Sequence, residues 1–123
     1  MEVILDSSFI LSCVKKKIDF VAQLEEQGFK IVVPREVLQE MKDLKLRSGL
    51  SHEERSAIEF IFKIVESEKI KKISLGSRKV DKGLIEKGRE GIYIATLDRA
   101  IKREVKNKVV IFDAQKKVGV SKD

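Results

Sequence analysis

The sequence has one cysteine, one histidine, one proline and no tryptophan in 123 residues. A lone cysteine excludes an intramolecular disulfide. One cysteine and one histidine are also too few for a zinc site or a Cys–His nucleophile pair. Cys13 lies in the apolar run from Phe9 to Val14 and reads as a core filler. His52 lies in Ser51-His52-Glu53-Glu54, which has the form of a capping box opening a helix, so it reads as a surface residue, not a ligand. No apolar run is long enough to cross a membrane. The start, Met1 to Asp6, lacks the charged-then-apolar form of a signal peptide, so a cytoplasmic protein is expected. Aromatic residues are 6% of the chain, and no tract interleaves them with basic residues, so base stacking is expected to be minor.

Charge is what the chain has in surplus. Charged residues are 37% of it, against roughly 25% in an average domain. The formal net charge is +6 and the pI about 9.4, a balance suited to a polyanionic partner such as RNA or DNA. The hydrophobic share, 42%, is enough for a real core, and the length fits a single domain over residues 1–123.

Short apolar runs alternate with longer amphipathic ones. Val3-Ile4-Leu5 reads as a buried strand ending at Asp6, followed by a helix capped by Ser7 or Ser8 and running to Val14. A helix over Ile18 to Gln27 stops at Gly28. Ile31-Val32-Val33 is a β-branched strand, and Pro34 opens the next helix, to about Leu46. A long helix spans Ser51 to about Glu68. Ile70 to Leu75 reads as an edge strand because of Lys71 and Lys72. A helix over Val80 to Lys87, a strand over Ile92 to Thr96, a helix over Leu97 to Val105 and a last strand over Val109 to Phe112 complete the pattern. The segment 114–123 is polar and reads as a loose tail. Strands separated by helices predict an α/β domain with a parallel sheet covered on both faces. In such sheets ligands bind at the carboxyl ends of the strands.

Two acids sit where that rule points: Asp6 directly after the first strand, Asp98 shortly after the strand ending at Thr96. Either alone reads equally well as a helix cap. Glu40 shares a helical face with Val37, Met41 and Leu44, and Asp81 shares one with Leu84 and Ile85, so both are expected on core-facing stripes. The ordinary alternative for each is a helix-edge residue reaching solvent. Four converging carboxylates repel and cannot all ionise. A divalent cation resolves that conflict, and hard oxygen ligands without His or Cys select Mg²⁺ or Mn²⁺. Such a site suits phosphoryl chemistry.

Four segments then resemble, in order, those of PIN domains: Leu5-Asp6-Ser7-Ser8-Phe9-Ile10, Val33 to Glu40, Val80-Asp81 and Ala95-Thr96-Leu97-Asp98-Arg99. The resemblance covers essentially the whole chain. It implies a three-layer α/β/α fold with a central parallel sheet and a ribonuclease using Mg²⁺ or Mn²⁺, with Asp6, Glu40, Asp81 and Asp98 as catalytic and metal-binding acids. It further implies that Thr96, and Ser8 where the family often has Asn, orient a carboxylate or water. Two positions depart from the family pattern: Lys82 stands where many members have a second acid, and Leu97 where many have Asn. Asp113 reads either as a further acid at the site's edge or as a turn residue.

RNA is the expected partner, guided by Arg35, Lys45, Arg47, Arg99, Lys102 and Arg103, with binding that falls as salt rises. By resemblance, short PIN proteins are toxins of toxin–antitoxin pairs or similar to ribosomal RNA-processing nucleases. The reading leans to the second, with an antitoxin, a ribosomal assembly partner or a homodimer as further partners. Two other readings compete. A phosphoacceptor signalling domain also places Asp at strand ends, but Asp6 lacks the acidic neighbour that class needs. A PIN-like module that binds RNA or a ribosomal partner without cutting would accommodate Lys82 and Leu97.

Overall fold

The computed structural model describes residues 1–122. Six strands form one sheet: β1 (Glu2–Leu5), β2 (Lys30–Pro34), β3 (Lys71–Ile73), β4 (Tyr93–Ala95), β5 (Lys108–Phe112) and β6 (Lys117–Val120), in the order β3-β2-β1-β4-β5-β6. The first five run parallel, and β6 returns antiparallel to β5. Helices α1 (Ser7–Lys15), α2 (Phe20–Glu26), α3 (Arg35–Lys45), α4 (His52–Ser67), α5 (Val80–Arg89) and α6 (Arg99–Glu104) fill the connections.

Alternation along β1 divides the core in two. Val3 and Leu5 pack with residues of α1 to α4, such as Phe9, Leu24, Met41 and Ile58. Ile4 points the other way and packs with Leu84 of α5 and Ile101 of α6. The result is the three-layer α/β/α arrangement. Three of the five parallel strands, β1, β2 and β4, carry buried apolar residues on both faces, which explains their unbroken apolar runs. β5 buries only Val109. β3 is short, its two lysines are exposed, and it forms one edge of the sheet.

One expectation fails at the carboxyl end. The segment after Phe112 is not loose. A single 3-10 turn over Asp113–Gln115 and a left-handed Lys116 (φ 51°) reverse the chain, and β6 then pairs with β5 from Phe112↔Lys117 onward. Val118 is buried against the larger core. Its N–H donates to Gln23 Oε1 over 2.8 Å, and its carbonyl accepts from Gln27 Nε2 over 2.9 Å. Gln23 of α2 and Gln27 at its C-cap thus satisfy the outward groups of Val118, an arrangement that periodicity within residues 114–122 could not signal. Asp123, the last residue of the expected tail, lies outside the described residues. The sheet is therefore mixed, with one antiparallel strand added to a parallel set.

β1 is central, and the chain builds outward from it in both directions: β2 and β3 on one side, β4 to β6 on the other. Between β1 and β4 the order reverses, which opens a crevice at the carboxyl ends of those two strands. Asp6 and Asp98 follow them.

Candidate active site

Asp6 occupies that crevice. Its N–H continues the sheet by donating to the Ala95 carbonyl over 2.9 Å. Its Oδ1 accepts the Ser7 N–H over 2.8 Å, which caps α1. Its Oδ2 accepts the Thr96 hydroxyl over 2.7 Å and the Ser8 hydroxyl over 3.4 Å. Asp6 is only 7% exposed and Thr96 1%. Burial is the main cause that pushes the Asp6 carboxyl above its ordinary range, and the charge of Asp98 adds to it. The bonds from Thr96, Ser7 and Ser8 oppose both.

The same two hydroxyls tie Asp6 to the loop after β4. Thr96 Oγ1 accepts the Asp98 N–H over 3.1 Å, and Ser8 Oγ accepts the Leu97 N–H over 3.2 Å. Asp98 caps α6 with one oxygen, Oδ1, which accepts from the N–H groups of Ala100 and Ile101. Asp81, in the first turn of α5, also gives one oxygen to the backbone, accepting the Lys82 N–H over 2.8 Å.

Glu40 and Asp81 do not lie on buried stripes as expected; both are exposed. On α3 the buried stripe is Val37, Leu38 and Met41, and Glu40 sits at its margin, facing α1, where its Oε1 accepts the Ser7 hydroxyl over 3.4 Å. On α5 the buried positions are Gly83, Leu84 and Gly88. Partial burial lifts the Glu40 carboxyl above its ordinary range, and Asp6, Asp81 and Asp43 reinforce this against the Ser7 bond. Mutual repulsion among these acids is thus felt in the fold.

All four acids line one open cleft of about 820 Å³, together with Ser8 and Leu97. Several of its residues had no assigned role from the sequence, among them Glu36, Arg78, Lys79 and Asp43. Glu36 spans the cleft wall: both its oxygens accept the Leu75 N–H at 3.1 Å, and Oε2 accepts the Ser74 hydroxyl. Burial raises its carboxyl, but the N–H groups of Leu75, Glu36 itself and Gly76 and the Ser74 hydroxyl outweigh that and hold it below the ordinary value. Arg78 and Lys79, in the loop before α5, bring positive charge into the cleft.

The expected RNA-binding cations scatter. Arg99, Lys102 and Arg103 share a groove with Lys108. Arg47 lies in a hollow beside the cleft, with Glu40 and Asp43. Lys45 pairs with Glu59 at 3.4 Å, and Arg35 is exposed but does not line the cleft. Asp113 pairs with Lys16 and is not a cleft residue. Ser51 caps α4 by accepting the Glu54 N–H, leaving His52 exposed. Burial pushes the Cys13 thiol up to about 12, so it is inert.

The oxygen-only donor set fits Mg²⁺ or Mn²⁺ and not a soft metal. Among the described residues no three Asp, Glu, His or Cys groups are close enough to hold an ion by themselves.

The family model described as PIN domain matches residues 3–119. The chain belongs to the PIN-domain family. Among solved structures it is similar to the PIN domain endonuclease Utp24, with a TM-score of 0.75 and 19% sequence identity over 99% of this chain and 92% of that one. At that identity the likeness shows a shared fold, a PIN domain of mixed, mostly parallel sheet. No curated protein sequence matches this PIN domain. Among the described residues no helix is long and apolar enough to cross a membrane.

Proposed function

We propose that this PIN domain is a metal-dependent endoribonuclease that hydrolyses RNA phosphodiester bonds in the carboxylate cleft. The observation that carries the reading is Asp6: a carboxylate buried at the point where the strand order reverses, aimed by Thr96 and Ser8, with Glu40, Asp81 and Asp98 among the acids lining the same cleft. Asp6 and Asp98 are the principal holders of Mg²⁺ or Mn²⁺, with Glu40 and Asp81 binding directly or through water. When bound, the ion supplies Lewis-acid stabilisation of the phosphate oxygens and lowers the pKa of an attacking water.

The chain's own residues do the positioning. Thr96 fixes Asp6 and, through the Asp98 N–H, the start of α6. Asp81 and Asp98 each give one oxygen to backbone N–H groups and keep the other for a ligand. Arg78 and Lys79 meet the phosphate backbone inside the cleft, where the acids alone would repel it.

A second reading, RNA binding without cutting, draws on the open spacing of the acids and on Lys82 and Leu97. One assay separates the two. Purified protein with Mg²⁺ or Mn²⁺ is expected to cleave RNA, and Asp6→Asn and Asp98→Asn are expected to abolish cleavage while RNA binding persists. Wild-type activity in both variants would end the nuclease reading; binding with no metal-dependent cleavage by the wild type would favour the second.

A further inference from the structure

Lys108, Val110 and Phe112 alternate onto one face of β5. Lys108 is in register with Ile94, which packs with Ile101 and Val105, so this is the face that carries α6. Cover is incomplete there: Phe112 is 42% exposed. Diagonal to it on β6, in register with Val110, lies Gly119, where a Cβ would stand 3.3 Å from Phe112 Cε2. The missing side chain makes the room in which the ring rests.

The uncovered strip forms a groove of two joined stretches. The first, about 450 Å³, is lined by Arg99, Lys102, Arg103 and Lys108. The second, about 750 Å³, shares Lys102 and Lys108 and continues across Phe112. No described acidic residue lines either stretch. Glu104, the acid on α6, pairs with Arg89, and Asp113, next to Phe112, pairs with Lys16. The groove begins at Arg99, the residue after Asp98, which lines the carboxylate cleft.

From these observations we infer that the groove between α6 and β6 is a track for single-stranded RNA, with phosphates on its five cations, Lys122 among them, and a base stacked on Phe112. The cations select a polyanion. The aromatic ring selects one whose base faces are free, which a duplex does not offer. The sequence suggested little base stacking because its aromatic and basic residues lie apart along the chain; the fold brings Phe112 beside Lys102 and Lys108. The identity of the ligand rests on the nuclease reading.

The test is binding in EDTA, where cleavage is silent, using a labelled oligouridylate of about 12 nucleotides and an RNA duplex of about the same length. Phe112→Ala is expected to weaken single-strand binding about ten-fold and to leave duplex binding unchanged. Lys102→Glu combined with Lys108→Glu is expected to weaken both and to flatten the salt dependence. The chain has no tryptophan, so Phe112→Trp adds a single tryptophan whose selectively excited fluorescence the oligouridylate is expected to quench. Unchanged binding in Phe112→Ala, an equal loss on the duplex, an unquenched Phe112→Trp or an indifferent lysine double variant would each overturn the track. Cleavage with Mn²⁺ is scored separately. Acid-dependent cleavage with failed binding predictions sinks the track alone; the predicted binding with no cleavage by the wild type sinks the nuclease reading alone.

Discussion

The Thr96 hydroxyl donates to Asp6 Oδ2 over 2.7 Å while accepting the Asp98 N–H over 3.1 Å. One buried oxygen therefore sets the relation between the two acids that follow β1 and β4. Removing it leaves the protein folded but loosens that relation. Thr96→Val is expected to lower cleavage by about 10–100-fold, and Thr96→Ser to restore most of it. The Thr96 bond also lowers the Asp6 pKa. Its loss lifts that carboxyl further, so the acid limb of the pH–rate profile moves to higher pH in Thr96→Val. A profile identical in shape to wild type would reduce Thr96 to a packing role.

Glu40 titrates above its ordinary range because of burial and the charges of Asp6, Asp81 and Asp43. A carboxyl whose folded-state pKa is raised favours folding while protonated. That contribution is complete below the unfolded value and is lost as pH rises through the folded one. Without divalent ions, Glu40→Gln is thus expected to melt above wild type at pH 7 and to match it near pH 3. Glu40 is exposed, so solvent screening limits the gain to about 1–2 °C. Adding Mg²⁺ should reverse the order, since a ligand held by the folded state raises its melting temperature. Calorimetry at two pH values, with and without Mg²⁺, reads all of this; an unchanged order on adding Mg²⁺ would argue against Glu40 as an ion-binding acid.

Gly88 lets α5 approach α6 and the sheet. A Cβ there would lie 2.9 Å from Val105 Cβ, closer still to Val105 Cγ1, and 3.2 Å from Ile94 Cγ1. Despite the better helix propensity of alanine, Gly88→Ala is expected to destabilise by about 1–3 kcal/mol through overpacking. Adding Val105→Ala should recover part of that loss, a coupling that a double-mutant cycle by chemical denaturation measures. Strict additivity would show that the two residues do not meet.

The part of the site legible in the sequence is the part encoded locally. Asp6 and Asp98 each follow a short apolar run, and the rule for parallel sheets points to them directly. Glu40 and Asp81 were legible as odd residues beside apolar helical positions, but the expected burial was wrong: the periodicity gives their azimuth to within a residue or so, and each lies just outside the buried stripe. Glu36 was illegible because an acid in a first helical turn is ordinary. Its partners, Ser74 and Leu75, lie 38 and 39 residues away. Arg78 and Lys79 looked like loop charges, and nothing local distinguishes a loop that turns into a cleft from one that faces water. The pairing of Lys45 with Glu59 across the α3–α4 connection is likewise invisible within α3 alone.

The glutamines over β6 bear on how copies of this molecule meet. A bare terminal strand is a template on which another chain can lengthen the sheet. Here the outward amide and carbonyl of Val118 are already claimed by Gln23 and Gln27, and the opposite margin is a three-residue strand bearing Lys71 and Lys72. Both flanks of the sheet thus carry features that discourage ribbon-like growth from copy to copy.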